Sequence, residues 1–118
     1  MSYALKNSQP VLKGLLLKKN KWFMKQERRF ELFATGQLLY FKDQEEKGAL
    51  LLGKESKARK ISRYEIELTV NKEWRKTYIF LQTDLNKAPP KKGNFSCLLD
   101  DWVEAINQVV EFIKTTQK

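Results

Sequence analysis

The stretch from Lys13 to Phe41 most constrains how this chain can fold. It contains three short runs of strand-forming residues, with a basic and aromatic interruption between the first two runs. Thr35-Gly36 separates the second run from the third, and glycine accepts the positive φ that a tight hairpin turn needs. The pattern therefore predicts three antiparallel strands, the first two of which are joined by a cationic loop.

Four further strands and one helix are predicted from the same kind of pattern. Alternation and short apolar runs place the seven strands at about residues 11–18, 27–34, 37–42, 49–52, 64–70, 77–82 and 95–98. The segments 43–47, 54–63, 71–76 and 84–93 are predicted as loops and turns, with Trp74 covering part of the core. From Asp100 the apolar spacing becomes helical, and Trp102 lies on the apolar stripe as a structural core residue.

This order of elements predicts a mainly β fold of seven antiparallel strands capped by one C-terminal helix. A sheet of that size curls to hide its edges, and it then forms a barrel or an orthogonal sandwich with open corners. We expect the helix to cover one corner and the loops at the other end to leave an open end. Residues 1–9 are predicted to be a flexible lead, 10–115 the domain and 116–118 a tail.

The charge of the chain limits the partners that it attracts. Lys and Arg number 23 and Asp and Glu number 14, which gives a formal net charge of +9. Such an excess attracts nucleic acids, acidic proteins and anionic membranes. A single cysteine and the lack of a long apolar run predict a cytoplasmic protein, and any contact with the plasma membrane or an internal membrane would be peripheral and reversible.

The composition also argues against catalysis and metal binding. The chain has no histidine, which is the commonest general base and metal ligand near neutral pH, and Cys97 is its one thiol. Its five glycines are scattered, so no glycine-rich phosphate loop is formed. The adjacent acids Asp100-Asp101 and Glu45-Glu46 are typical of capping or solvated groups. We therefore expect neither an enzyme nor a site for a cofactor or metal.

The chain resembles a pleckstrin-homology (PH) domain over about residues 11–114. The resemblance rests on KGLLLK at 13–18, RRFELF at 28–33, LLYF at 38–41 and the helix tryptophan in DDWVEAI at 100–106. More distantly, the WFMKQERR loop is similar to the domain appended to phosphoinositide-dependent protein kinases. The resemblance implies that phosphoinositide headgroups bind at the open end of the fold.

The resemblance also implies which residues bind the headgroup. Lys18 matches a lysine that ends the first strand in tight binders, and Arg29 matches the arginine of a basic-x-Arg pair that opens the second. Tyr40 and Lys47 match a tyrosine and a basic residue that contact phosphates. Converging cations of this kind hold phosphate groups through charge-assisted hydrogen bonds. Tyr40 is equally consistent with core packing.

Glu27 departs from this pattern. It stands where tight binders carry the first basic residue of the pair, and strand alternation places it on the same face as Arg29, with Arg28 on the other face. A carboxylate at that position would weaken or alter headgroup binding. Lys25 replaces it only if the register of the loop shifts by two residues.

Other side chains are predicted to support membrane contact. Lysines near an anionic leaflet are attracted to it, and the predicted basic rim consists of Lys19, Lys21, Lys25, Lys87, Lys91 and Lys92. Trp22, Phe23 and Met24 at the tip of the loop either pack within it or insert into the membrane interface, where aromatic side chains settle.

Two functions follow for such a fold. The first is a module that reads phosphoinositide or inositol-phosphate headgroups and targets a signalling protein to an anionic membrane. The second is a protein-interaction module of the same fold with weak or non-selective lipid binding. Nucleic acid is disfavoured as a partner, because single-strand binders expose aromatic side chains along a basic groove, whereas most aromatic residues here alternate into strands.

Overall fold

A computed structural model of the chain describes residues 9–19, 22, 24–72, 75–84 and 86–116. Within these residues, seven antiparallel strands form one sheet and a single C-terminal helix follows, which confirms the predicted mainly β fold. The strands are β1 (Leu12–Lys19), β2 (Lys25–Leu32), β3 (Gln37–Lys42), β4 (Glu45–Leu51), β5 (Lys57–Ser62), β6 (Glu65–Lys72) and β7 (Arg75–Gln82), and the helix is α1 (Leu99–Thr116).

The strands follow the order β4-β3-β2-β1-β7-β6-β5 across the sheet. β1 lies at the centre, where it pairs with β2 along its whole length. Its pairing with β7 is limited to Leu17 and Lys18. Two antiparallel meanders, β1 to β4 and β5 to β7, are therefore joined at one short contact, with β4 and β5 as the edges.

The core lies between one face of the sheet and one side of α1. Its largest fully buried side chains include Trp102 and Phe30, whose rings meet edge to face with their centroids 6.4 Å apart. Strand alternation selects the participants, since Leu12, Gly14 and Leu16 are buried in β1 while Lys13 and Leu15 between them are only partly so. We call the face that carries Leu16 and Phe30 the inner face, and the opposite one the outer face.

The helix α1 links the two ends of the curled sheet. At the β5 edge, the Asn107 amide nitrogen donates to the carbonyl oxygen of Ala58 at 2.9 Å, and the Ala58 N–H donates to Asn107 Oδ1 at 3.0 Å. Further along the helix, Ile113 packs close to Gly36, because a Cβ on Gly36 would lie 3.0 Å from Ile113 Cδ1. The helix thus covers the corner between the β5 edge and the turn that joins β2 to β3.

Replacing Asn107 with alanine is expected to lower the free energy of unfolding by about 1 to 3 kcal/mol, because buried backbone groups lose their partner. Ala58 is almost fully buried, so water would not readily replace the amide. Urea denaturation measures the change. Gln108→Ala, one position along the same helix on its exposed side, is the control, and equal losses in the two variants would contradict the role of Asn107.

The predictions missed one strand and placed another where none forms. The predicted number of strands, seven, is therefore correct although two positions are wrong. The predicted polar connection 54–63 contains β5, in which Ala58 alone is buried and the other side chains are exposed. The predicted strand at Phe95 to Leu98 does not form. That segment runs beside the start of β1 through a single parallel bridge between Phe95 and Lys13.

Smaller differences concern the ends of elements. The predicted loop 43–47 shrinks to the two-residue turn Asp43-Gln44, where Asp43 has a φ of 55°, because β4 begins at Glu45. α1 includes Thr116 of the predicted tail. No helix within the described ranges is long and apolar enough to cross a membrane. The predictions for residues 1–8, Trp74 and 117–118 lie outside the described residues.

Candidate functional site

The open end of the sheet, where β1 ends and β2 begins, carries Lys18 beside Tyr40. Lys18 follows Leu16 on the inner face, and its Nζ lies 5.4 Å from the centroid of the Tyr40 ring. The Tyr40 ring in turn packs on Phe30, with the two centroids 5.4 Å apart. Gly48 on β4 makes room for this ring, because a Cβ there would overlap it. Tyr40 therefore connects the core to the cation at the open end.

Arg28 lies on the same inner face as Lys18. In the ladder between β1 and β2, Arg28 is opposite the buried Leu16, and Gln26 is opposite Lys18. Arg28 and Lys18 are therefore diagonal neighbours. In an antiparallel pair the Cα atoms of such neighbours are roughly 7 to 8 Å apart. One N–H group of the Arg28 guanidinium donates to the carbonyl oxygen of Glu27 at 2.8 Å. Arg28 lies on the opposite face from Glu27 and Arg29, as predicted, but that face is the one that carries Lys18.

Arg29 lies on the outer face, so the expectation that it converges with Lys18 is wrong. It is opposite Phe41, and its guanidinium carbon lies 4.6 Å from the centroid of that ring. Its Nε donates to the Glu31 carboxylate at 3.3 Å. Glu27, two residues earlier on the strand, shares the outer face. The carboxylate that was expected to oppose a headgroup therefore does not face the site.

Lys42 adds a further cation to the inner face. It follows Tyr40 by two positions on β3, so strand alternation puts both side chains on one face. Phe41 pairs with Arg29, and the next position on β3 therefore lies beside Arg28. Lys42 was not among the predicted site residues.

Lys47 contacts this region through Glu45. Glu45 is opposite Lys42 on β4, and Lys47 is the extra residue of a β-bulge in the same hairpin. The Lys47 ammonium forms an ion pair with the Glu45 carboxylate. The hydrogen bond and charge of Lys47, followed by the charge of Lys42, hold the pKa of Glu45 below its ordinary value. The carboxylate is therefore ionised at neutral pH.

Four cations and one tyrosine are thus associated at the open end. We call Lys18, Arg28, Lys42 and Lys47 the basic cluster. The cluster carries four positive charges, and the ion pair with Glu45 offsets that of Lys47. Side chains of this kind donate charge-assisted hydrogen bonds to phosphate oxygens.

Two of the predicted rim lysines lie at the open end but on the other face. Lys19 and Lys25 pair with each other across β1 and β2. Lys19 also forms an ion pair with Glu65 at 2.8 Å. Lys87 lines a small cavity with Leu15 and other outer-face residues. None of these three extends the inner-face cluster.

Lys91 and Lys92 lie away from the open end, so their predicted place on the rim is wrong. Lys91 forms an ion pair with Asp101, in the first turn of α1, at 3.2 Å. Lys92 bridges to Phe95, which itself bridges to Lys13 near the start of β1. The start of β1 is the end of the strand opposite to the basic cluster.

The loop between β1 and β2 is described at Trp22 and Met24. Trp22 is 71% exposed and Met24 is 65% exposed. Most of the surface of both side chains is therefore open to solvent. The predictions for Lys21 and Phe23 lie outside the described residues.

One signal in the sequence identifies the two cations that were missed. Phe30 and Leu38 are apolar and fully buried. Counting in steps of two from Phe30 leads to Arg28, and counting from Leu38 leads through Tyr40 to Lys42. A strand face is therefore best assigned from its buried residues.

Comparisons with known proteins add no function to this geometry. No protein-family model matches the chain. No curated protein matches it either. The case for a function therefore rests on the residues at the open end.

Proposed function

We propose that this protein binds phosphoinositide headgroups at the open end of its sheet and so holds a signalling protein at an anionic membrane. The observation that carries the proposal is the placement of Lys18, Arg28 and Lys42 on one face beside Tyr40. This is the kind of site that the PH resemblance implies, with Arg28 in the place first expected for Arg29.

The charges of the site support the proposal. Phosphate monoesters carry roughly −1.5 to −2 charges at neutral pH, and a hydrogen bond to a charged group contributes about 1.5 to 3 kcal/mol. Several phosphates on one small ring match a group of four cations better than a single anion does. Because Glu27 is on the outer face, its carboxylate does not point toward a ligand held on the inner face.

The position of the loop tip supports a membrane-bound ligand. Trp22 and Met24 are exposed between the ends of the two strands that carry Lys18 and Arg28. A headgroup held by the basic cluster would then bring an apolar tip to the same membrane surface. Attraction of the other lysines to an anionic leaflet adds about 1 kcal/mol for each lysine near the surface.

Calorimetric titration with soluble inositol polyphosphates tests the proposal. We expect saturable binding that differs among inositol phosphates with different phosphate positions. Liposomes with and without phosphoinositide, prepared at equal total charge, form the second arm, and the phosphoinositide liposomes should bind more tightly. Equal binding in both arms, without selectivity in solution, would refute the proposal and favour the protein-interaction module.

Trp22→Ala is expected to weaken binding to phosphoinositide liposomes by about 1 to 2 kcal/mol, because part of a large apolar side chain no longer leaves water. Affinity for the soluble headgroup should be unchanged. Liposome sedimentation and calorimetry measure the two quantities. Phe112→Ala, which removes an exposed aromatic ring from α1, is the control. A parallel loss of both affinities would indicate damage to the fold.

A further inference from the structure

A second surface of interest lies at the end of the sheet opposite to the basic cluster. A groove of about 210 Å³ opens there between α1, the start of β1 and the turn that joins β2 to β3. Val11 and Phe112 border it and are 44% and 57% exposed. We call this surface the helix groove, and its lining residues are Val11, Ala34, Ala105, Gln108, Val109 and Phe112.

The size and lining of the helix groove suit one large apolar side chain. Pockets for small molecules usually enclose about 300 to 1,000 Å³, which is more than this groove offers. Five of its six lining residues are apolar, and the sixth is Gln108. Protein interfaces are often anchored by a single apolar or aromatic side chain in such a pocket. The groove therefore fits a protein partner better than a free small molecule.

The backbone beside the groove argues for a helical partner. The N–H groups of Val11, Phe33 and Gly36 donate to carbonyl oxygens within the domain at 2.7, 2.9 and 2.9 Å. The carbonyl oxygen of Gly36 accepts from Leu52 N at 2.8 Å. An extended peptide needs unpaired backbone groups to bond with, whereas a helix satisfies its own and docks through side chains.

The charge next to the groove argues for a basic partner. α1 carries four acidic residues and one basic residue, Lys114, which gives the helix a net charge of −3. The whole chain has a net charge of +9, so the rest of the chain has a net charge of +12. Asp100 and Asp101 are paired with Lys60 and Lys91 at 2.9 and 3.2 Å.

The other two acids of α1, Glu104 and Glu111, flank Gln108 on the solvent side of the groove. Glu104 accepts a hydrogen bond from Gln108 at 3.2 Å, and Glu111 forms a long ion pair with Lys114, at 3.9 Å. At physiological ionic strength charges beyond about 8 Å are largely screened. Glu104 and Glu111, together with Lys114 beside the second, leave a net negative charge on this side of the groove, despite the basic character of the whole chain.

We propose that the helix groove docks a basic amphipathic helix of a partner protein. One large apolar side chain of that helix enters the groove between Val11 and Phe112, and its lysines or arginines lie against Glu104 and Glu111. The eight residues of β1 separate this groove from the open end, a length of roughly 26 Å at about 3.3 Å per residue. The partner helix and a membrane headgroup therefore bind at the same time without overlap.

The probe is a synthetic 18-residue helix with leucines along one face and lysines on the other, labelled for fluorescence anisotropy and titrated with the full chain. Saturable binding is expected in physiological salt. A peptide of the same composition with its leucines distributed around the helix should bind at least about tenfold more weakly, because it has no apolar face to set in a groove.

Variants on the protein side locate the binding surface. Phe112→Ala and the double reversal Glu104→Lys with Glu111→Lys should each weaken binding of the leucine-lysine helix by about tenfold. The double reversal should in turn bind a leucine-glutamate helix more tightly than the original chain does. Arg28→Ala, at the other end of the sheet, should leave binding unchanged, and thermal melts followed by circular dichroism check that each variant is folded.

Three results would overturn the proposal. The first is the absence of saturable binding to the leucine-lysine helix. The second is equally tight binding of the peptide whose leucines are distributed around the helix. The third is binding that is changed neither by the Phe112 variant nor by the Glu104 and Glu111 double variant. None of them depends on headgroup binding, so the two proposals fail separately.

Discussion

Arg28→Ala is expected to weaken binding of soluble inositol polyphosphates by about ten- to a hundredfold, and Arg29→Ala by less than about twofold. Arg28 lies on the inner face beside Lys18, where its guanidinium can donate to phosphate oxygens. Arg29 lies on the outer face against Phe41 and Glu31, away from any ligand held on the inner face. Isothermal titration at constant salt measures both affinities.

The two arginines form a closely matched pair for this experiment. They are adjacent in sequence, and their removal changes the net charge of the protein by the same amount. A difference between the variants therefore reports the direction of the side chain and not the general basic character of the domain. A larger loss for Arg29→Ala would place the ligand on the outer face. Equal, small losses would mean that anions are held by non-specific attraction alone.

Gly14→Ala is expected to lower the free energy of unfolding by about 2 to 6 kcal/mol, since it forces two backbone segments apart and disturbs a buried hydrogen bond. A Cβ at this position would overlap the carbonyl oxygen of Ser96 and lie 3.1 Å from Trp102 Nε1. That oxygen accepts a hydrogen bond from Trp102 Nε1 at 2.8 Å, and the indole is fully buried. Because the obstacle is backbone, it cannot rotate away.

Gly53→Ala is the control for this prediction. A Cβ on Gly53 would have no heavy atom within 4 Å of it, so this variant should be close to neutral in stability. Urea denaturation of both variants measures the difference, which is large relative to the roughly 5 to 15 kcal/mol that stabilise a small domain. Equal stability of the two variants would show that β1 and the segment around Ser96 do not approach each other so closely.

The predictions of secondary structure succeeded where a run of apolar, strand-forming residues is bounded by polar or turn residues, and in α1, where one side of the helix is apolar. β3 was predicted with its observed limits, β1 was displaced by one residue, and α1 begins one residue before the predicted Asp100. β5 was missed because it is an edge strand with only Ala58 buried, so it shows no alternation. Phe95 to Leu98 was taken for a strand because apolar residues that pack beside β1 in a loop have the same local pattern as a strand.

The candidate site was predicted less well than the fold, for a related reason. Lys18 and Tyr40 were identified, and they lie together. Arg29 was preferred to Arg28 through a match in order along the chain, which does not determine the face of the strand. Arg28 is the arginine that reaches the inner face, because it is two residues before the buried Phe30 on the same strand.

The amino-acid sequence by itself determined the class of fold, because the periods of its apolar residues are local properties that specify strands followed by one amphipathic helix. It also determined a strong positive charge and an apolar tip on the first loop. Only the tertiary structure decided which cations meet. That depends on strand register, on the bulge at Lys47 and on contacts between distant segments, such as the bridge from Phe95 to Lys13 that carries Lys91 and Lys92 away from the open end.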